Sequence, residues 1–211
     1  MRAFPGTRAR FLPGGGARGG GERAARGRDA TRAWGDAVAV SALILGGARS
    51  GKSALAEERA SSLGGGNVLY IATAVARPDD PDLSRRIEAH RESRHHDWEL
   101  LEVGGGNLDP VLEAAEGWSA MLFDSLTLWV SARMLDGDES EILGEFEHFM
   151  EGASTRSVPV ILVSDEVGLG VVPESREGRR FRDLLGLVNQ RAAAVAEEVY
   201  LCVAGIAQRI K

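Results

Sequence analysis

Cysteine is nearly absent from this sequence. Cys202 stands alone among 211 residues, so no disulfide can form within the chain. A lone thiol suits a reducing compartment, and a cytoplasmic location is expected. Cys202 lies in the apolar run EVYLCVAGI and is expected to pack as a core residue rather than react. Long hydrophobic runs are missing too: none reaches the ~20 residues that a membrane span needs. No internal repeat and no sustained heptad pattern is present, which argues against solenoid and coiled-coil scaffolds. The N-K-x-D stretch that reads guanine in switch GTPases is also lacking.

Acidic residues are scarce at the N-terminus, and basic ones are outnumbered elsewhere. Residues 1–40 hold eight arginines against Glu22, Asp29 and Asp36, a local charge of +5; with −6 for the whole chain, the remainder carries −11. An acidic body disfavours nonspecific nucleic-acid binding, so no nucleic-acid partner is expected. The basic segment is rich in glycine triplets and has almost no hydrophobic periodicity. Such a composition does not offset its ordering entropy. It lacks the apolar core of a secretory signal, although a basic, acid-poor segment resembles an organellar transit peptide. Residues 1–37 are therefore expected to be a disordered or mis-annotated N-terminal extension, with a true start near Val38 or Val40.

From Val38 onward, short apolar runs alternate with longer amphipathic stretches. AVSALILGG, NVLYIATAV, the start of AMLFDSLTLWVSARML, VPVILVSDEVG and EVYLCVAGIAQRIK read as strands. KSALAEERASSLG, DPDLSRRIEAHRESRHHDW, EILGEFEHFMEGAS and REGRRFRDLLGLVNQRAAAVAEEV read as helices. Strands of near-continuous apolar character separated by helices predict an α/β fold, with a mostly parallel sheet flanked by helices on both faces.

Gly46-Gly47-Ala48-Arg49-Ser50-Gly51-Lys52-Ser53 fits the phosphate-loop pattern G-x-x-x-x-G-K-[ST]. Glycines let successive backbone N–H groups converge on phosphate oxygens, and the following helix adds its positive end. Lys52 would neutralise the terminal phosphates, and the Ser53 hydroxyl would ligate Mg²⁺. An apolar strand before the loop and a helix after it argue against an incidental Gly-rich turn. The predicted fold is accordingly of the P-loop NTPase type. Asp124 in MLFDSLT falls where a strand gives way to a helix. It suits either a carboxylate of the metal shell or a helix N-cap.

Four histidines are present. His148 alternates with apolar residues and reads as a surface or boundary position. His95 and His96 are adjacent, so they point apart on a helix, and no ligand set accompanies them. His90 is surrounded by Arg85, Arg86, Arg91 and Arg94. Cations around a histidine suit a nucleophile that works on phosphates, while from spacing alone a helix-surface residue is the commoner reading.

GGARSGKS, VLYIATA, RRIEAHRESRHHDW, LFDSLTLWV and VILVSDEVGLGVVPESREGRRFRDLLGLVNQ follow one another in this order. Together they resemble the bifunctional adenosylcobinamide kinase/adenosylcobinamide-phosphate guanylyltransferase family of cobalamin biosynthesis, over about residues 42–211. The resemblance implies one catalytic domain over residues 38–211. It implies phosphorylation of adenosylcobinamide with ATP or GTP, then GMP transfer from GTP through a covalent histidine–GMP. The matching histidine is His90. Residues Gly46 to Ser53 match the triphosphate loop, with Lys52 as a catalytic group. Ala72, Thr73 and Ala74 match a segment lining the nucleotide. Arg91, Glu92, Ser93 and Arg94 match a stretch contacting the guanylyl group, and Glu102 a carboxylate suited to the guanine edge. Asp124 falls at an acidic position, and with Ser53 it is the expected Mg²⁺ site. Small homo-oligomers, commonly trimers, are implied as well.

The sequence departs from the family pattern at three places: Ala89 precedes the histidine, His95 follows Arg94, and Asp165 opens Asp165-Glu166-Val167-Gly168 where Asn is usual. Two other functions fit parts of the sequence. A P-loop kinase of another small molecule would leave His90 a surface residue, and a regulatory GTP-binding module would bind without turnover.

Overall fold

The computed structural model describes residues 40–74, 85 and 97–211. The N-terminal extension lies outside them. So does the helix expected around His90, except for Arg85, which is helical.

Seven strands form one sheet: β1 (Val40–Gly46), β2 (Val68–Ala72), β3 (Glu99–Glu102), β4 (Ala120–Asp124), β5 (Val160–Asp165), β6 (Glu198–Val203) and β7 (Ile206–Arg209). Their order is β3-β2-β4-β5-β1-β6-β7. All pairings are parallel except that of β6 with β7. The described helices are α1 (Lys52–Gly64), α2 (Asp109–Ala114), α3 (Leu126–Arg133), α4 (Glu139–Arg156) and α5 (Arg176–Val195).

The near-continuous apolar strands are explained by burial on both faces. Leu43, Leu45, Leu69, Ile71, Met121, Phe123 and Leu162 face a core built with α2, α3, α4 and α5. The alternate residues Ala42, Ile44, Val68, Tyr70, Leu122 and Val163 face a second core that includes Ala56 and Ala60 of α1. Helices thus cover both faces, as the apolar strands require. Small Ala56 and Ala60, four residues apart, bring α1 close to the sheet. Its last residue is equally tight: a Cβ on Gly64 would lie 2.7 Å from Val68.

The alternation of elements follows the sequence reading, with two differences. The short β3 and α2 were not expected. The final strand is not one strand but a hairpin, which turns at Ala204 and Gly205 (φ 52° and 82°). Two consecutive positive φ values make the tight two-residue turn that suits the right-handed twist of a hairpin.

Candidate nucleotide site

The sheet brings the C-terminal ends of its parallel strands to one edge, where α/β folds hold ligands. β1 ends at Gly46, and here only glycine fits. A Cβ would lie 2.4 Å from Ser50 Oγ and 2.7 Å from the Cys202 carbonyl oxygen. The chain then turns through exposed Gly47, Ala48 and Arg49 (φ 56°), buried Ser50 and Gly51 (φ 93°). Ser50 N–H donates to the Gly47 carbonyl at 3.3 Å. α1 starts at Lys52 with no side-chain cap and no acidic residue in its first turn. Its leading N–H groups have no intrahelical partner, so the positive helix end is open to an anion. Ser50 Oγ is buried there without a hydrogen-bond partner.

Lys52 folds back over the loop. Its Nζ donates to the Gly47 carbonyl at 3.1 Å and pairs with Asp165 Oδ1 at 2.7 Å. Asp165 ends β5, directly beside Gly46 in register. Its backbone is fixed from two helices: its N–H donates to Thr127 Oγ1 at 2.8 Å, and Asn189 Nδ2 donates to its carbonyl at 3.1 Å. Sequence reasoning treated Asp165 only as a departure from a pattern. A carboxylate closing an apolar strand was the available signal.

Asp124 ends β4, two strands from β1. Its Oδ2 accepts a hydrogen bond from Tyr70 at 2.8 Å. The N-cap role belongs instead to Ser125, whose hydroxyl accepts from Leu128 N–H. That removes the N-cap reading of Asp124. Thr73 is buried, and its hydroxyl both accepts from Ser125 N–H and donates to Ser125 carbonyl, each at 2.8 Å. Its side chain therefore joins the exits of β2 and β4. Ala72 is buried in β2, and Ala74 follows half-buried. Glu102 is exposed at the end of β3, in register with Ala72. Four strand positions separate β3 from β1, roughly 19 Å at the usual interstrand spacing. The loop, Lys52 and Asp165 are thus assembled together, and Asp124 and Glu102 lie farther along the same edge. His90, Arg91, Glu92, Ser93 and Arg94 lie outside the described residues.

Two residues behave as the sequence suggests. Cys202 is buried, and burial pushes its thiol pKa up. His148 is exposed, with Nε2 3.6 Å from Asp109 Oδ1.

A phosphate loop with an uncapped helix start, at the end of an interior strand of a mostly parallel sheet, defines a nucleotide-binding α/β protein of the P-loop type. The comparisons with known proteins are more specific. The chain belongs to the family described as CobU, cobinamide kinase / cobinamide phosphate guanyltransferase, whose model matches residues 42–210. It is 41% identical to the bifunctional adenosylcobalamin biosynthesis protein CobP of Pseudomonas aeruginosa over 169 residues, 80% of this chain and 96% of that protein. It is 38% identical to the corresponding CobU of Escherichia coli, over 80% of this chain and 98% of that protein. Among solved structures, the flagellar accessory protein FlaH of Methanocaldococcus jannaschii matches with a TM-score of 0.46 and 16% identity, over 82% of this chain and 78% of that one.

Proposed function

We propose that this chain phosphorylates adenosylcobinamide with ATP or GTP and then converts the product to adenosylcobinamide-GDP with GTP. One observation carries the reading: an uncapped phosphate loop bearing Lys52, in a chain that matches the family model over nearly all its described length. In the first step the cobinamide hydroxyl oxygen attacks the γ-phosphorus. The bond to the bridging oxygen breaks, the nucleoside diphosphate leaves, and the hydroxyl proton is released. The loop N–H groups and Lys52 hold the charge that develops on the phosphate oxygens.

In the second step a nitrogen of His90 attacks the α-phosphorus of GTP and pyrophosphate leaves. An oxygen of adenosylcobinamide phosphate then attacks the same phosphorus and frees His90. Neutral imidazole is a competent nucleophile near neutral pH, and the neighbouring arginines would stabilise the five-coordinate phosphorus. Arg91, Glu92, Ser93 and Arg94 would contact the guanylyl group, Glu102 the guanine edge, and Ala72 to Ala74 the nucleotide. This reading includes the domain assignment of residues 38–211, cytoplasmic residence and assembly as a small homo-oligomer, commonly a trimer in the family.

Ser53 at the loop and Asp124 at the end of β4 would be the residues to hold Mg²⁺. Ser53 and Asp124 offer hydroxyl and carboxylate oxygens, the hard donors this ion prefers. Among the described residues no group of three or more His, Cys, Asp or Glu forms a cage by itself. That pattern suits an ion carried in with nucleotide phosphates, whose charge it would neutralise when bound.

The test is transfer of α-labelled GMP from GTP to the protein. Wild-type protein is expected to be labelled, and His90→Ala to remain unlabelled while still phosphorylating adenosylcobinamide. Label that survives His90→Ala would place the covalent bond elsewhere. Binding of nucleotide with no turnover of adenosylcobinamide would favour a regulatory module.

A further inference from the structure

The outer strand of the C-terminal hairpin, β7, adds little to the core. All four residues of β7 are exposed, and Val203 and Ile206 on either side of the turn are 61% and 73% exposed. Hydrophobic burial therefore does not account for this added strand. Its turn, however, touches the backbone of the phosphate loop.

Gly205 N–H donates to the Ser50 carbonyl at 2.9 Å. A Cβ on Gly51 would lie 3.2 Å from Gly205 Cα, so the two backbones are in close contact. The Ser50–Gly51 peptide is planar and trans, so its C=O and N–H point in opposite directions. With the C=O tied to the hairpin, the Gly51 N–H is turned away from the hairpin.

A second attachment, lower on the same elements, holds the hairpin in place. Arg59 of α1 lies over the Tyr200 ring, 4.7 Å from its centroid, and contacts the Tyr200 hydroxyl. It also pairs with Glu198 Oε2 at 3.1 Å. Tyr200 donates to the same carboxylate at 2.9 Å, and Arg209 of β7 pairs with its other oxygen at 2.7 Å. Glu198 thus links α1 to both strands of the hairpin.

We infer that the β6–β7 hairpin is a brace for the phosphate loop, and that Gly205 is a positioning residue for nucleotide binding. The inference rests on the reading of that loop as a nucleotide site. Gly205 combines φ 82° with open space around its missing Cβ. A substitution there consequently acts through backbone conformation and not through a clash. A β-branched residue disfavours this φ strongly, whereas Asn tolerates it.

The experiment is titration of Gly205→Val and Gly205→Asn with ATP and with GTP, alongside steady-state kinetics and thermal melts. Gly205→Val is expected to raise Kd and the nucleotide KM roughly tenfold, the scale of one lost hydrogen bond. Its kcat at saturating nucleotide should stay close to wild type, and Gly205→Asn should restore tight binding. Gly205→Val binding within about twofold of wild type would overturn the brace, as would Asn weakening binding as much as Val. If Gly205→Val does not fold, Arg209→Ala replaces it. Loosening the hairpin through this exposed side chain should weaken nucleotide binding about two- to threefold, and unchanged binding would overturn the inference. Wild-type protein that binds neither nucleotide would instead refute the nucleotide site itself.

Discussion

Lys52 already has two partners before any phosphate reaches it, the Gly47 carbonyl and the Asp165 carboxylate. A nucleotide has to take the ammonium from Asp165. Thr127 and Asn189 hold the Asp165 backbone, and so the base of that carboxylate, beside the loop. Asp165→Asn keeps the shape and removes the competing charge. It is expected to tighten GTP binding up to about fivefold, the worth of a partly exposed ion pair. Isothermal titration decides this, and weaker binding in Asp165→Asn would show that the carboxylate assists the nucleotide. Lys52 was legible in the sequence because its loop is local, eight residues with fixed spacing. Its pairing with Asp165 was not, since it depends on β5 lying beside β1. Thr73 shows the same limit: the bonds of its buried hydroxyl to Ser125 depend on β2 lying beside β4 and could not be read from the sequence.

The strongly periodic elements were legible for a physical reason, and α4 is the clearest case. Its apolar positions Ile142, Leu143, Phe146, Phe149, Met150 and Ala153 recur at helical spacing and all are buried. Phe146 packs between Trp129 and Phe149, with ring centroids 6.1 and 6.5 Å away. Phe146→Ala is expected to cost about 3–5 kcal/mol in urea unfolding, because the rings around it cannot close the cavity. The start of α4 predicts a pH effect. Asp138 accepts from Glu141 N–H in a capping box, and that hydrogen bond holds its pKa below the ordinary 3.8. A depressed folded pKa contributes stability above pH 3.8, lost as pH falls through the lower folded value. Asn caps without titrating. The melting-temperature advantage of wild type over Asp138→Asn should therefore shrink on acidification below pH 3.8, and a constant gap would argue against the carboxylate. The elements that sequence did not reveal lack such periodicity. β3 has four residues with none fully buried, and β7 is exposed throughout, so neither carries an alternating pattern.

At the scale of the molecule, the loop is rooted in the strand that most of the fold surrounds. β1 lies between β5 and β6, and its side chains enter both hydrophobic cores. The loop's two flanks are equally tied in: Gly46 carbonyl accepts from Glu166 N–H, and Ser50 carbonyl from Gly205 N–H. A ligand held by this loop therefore stabilises the cooperative unit as a whole and not a local lid. GTP at a hundred times its Kd should add about 2.7 kcal/mol to unfolding free energy. For a body of this size that is a rise in melting temperature of roughly 5–11 °C. Lys52→Ala should lose most of this rise, while its melting temperature without nucleotide stays close to wild type, because Lys52 takes no part in either core. A rise that persists in Lys52→Ala would mean that GTP is held without the loop lysine.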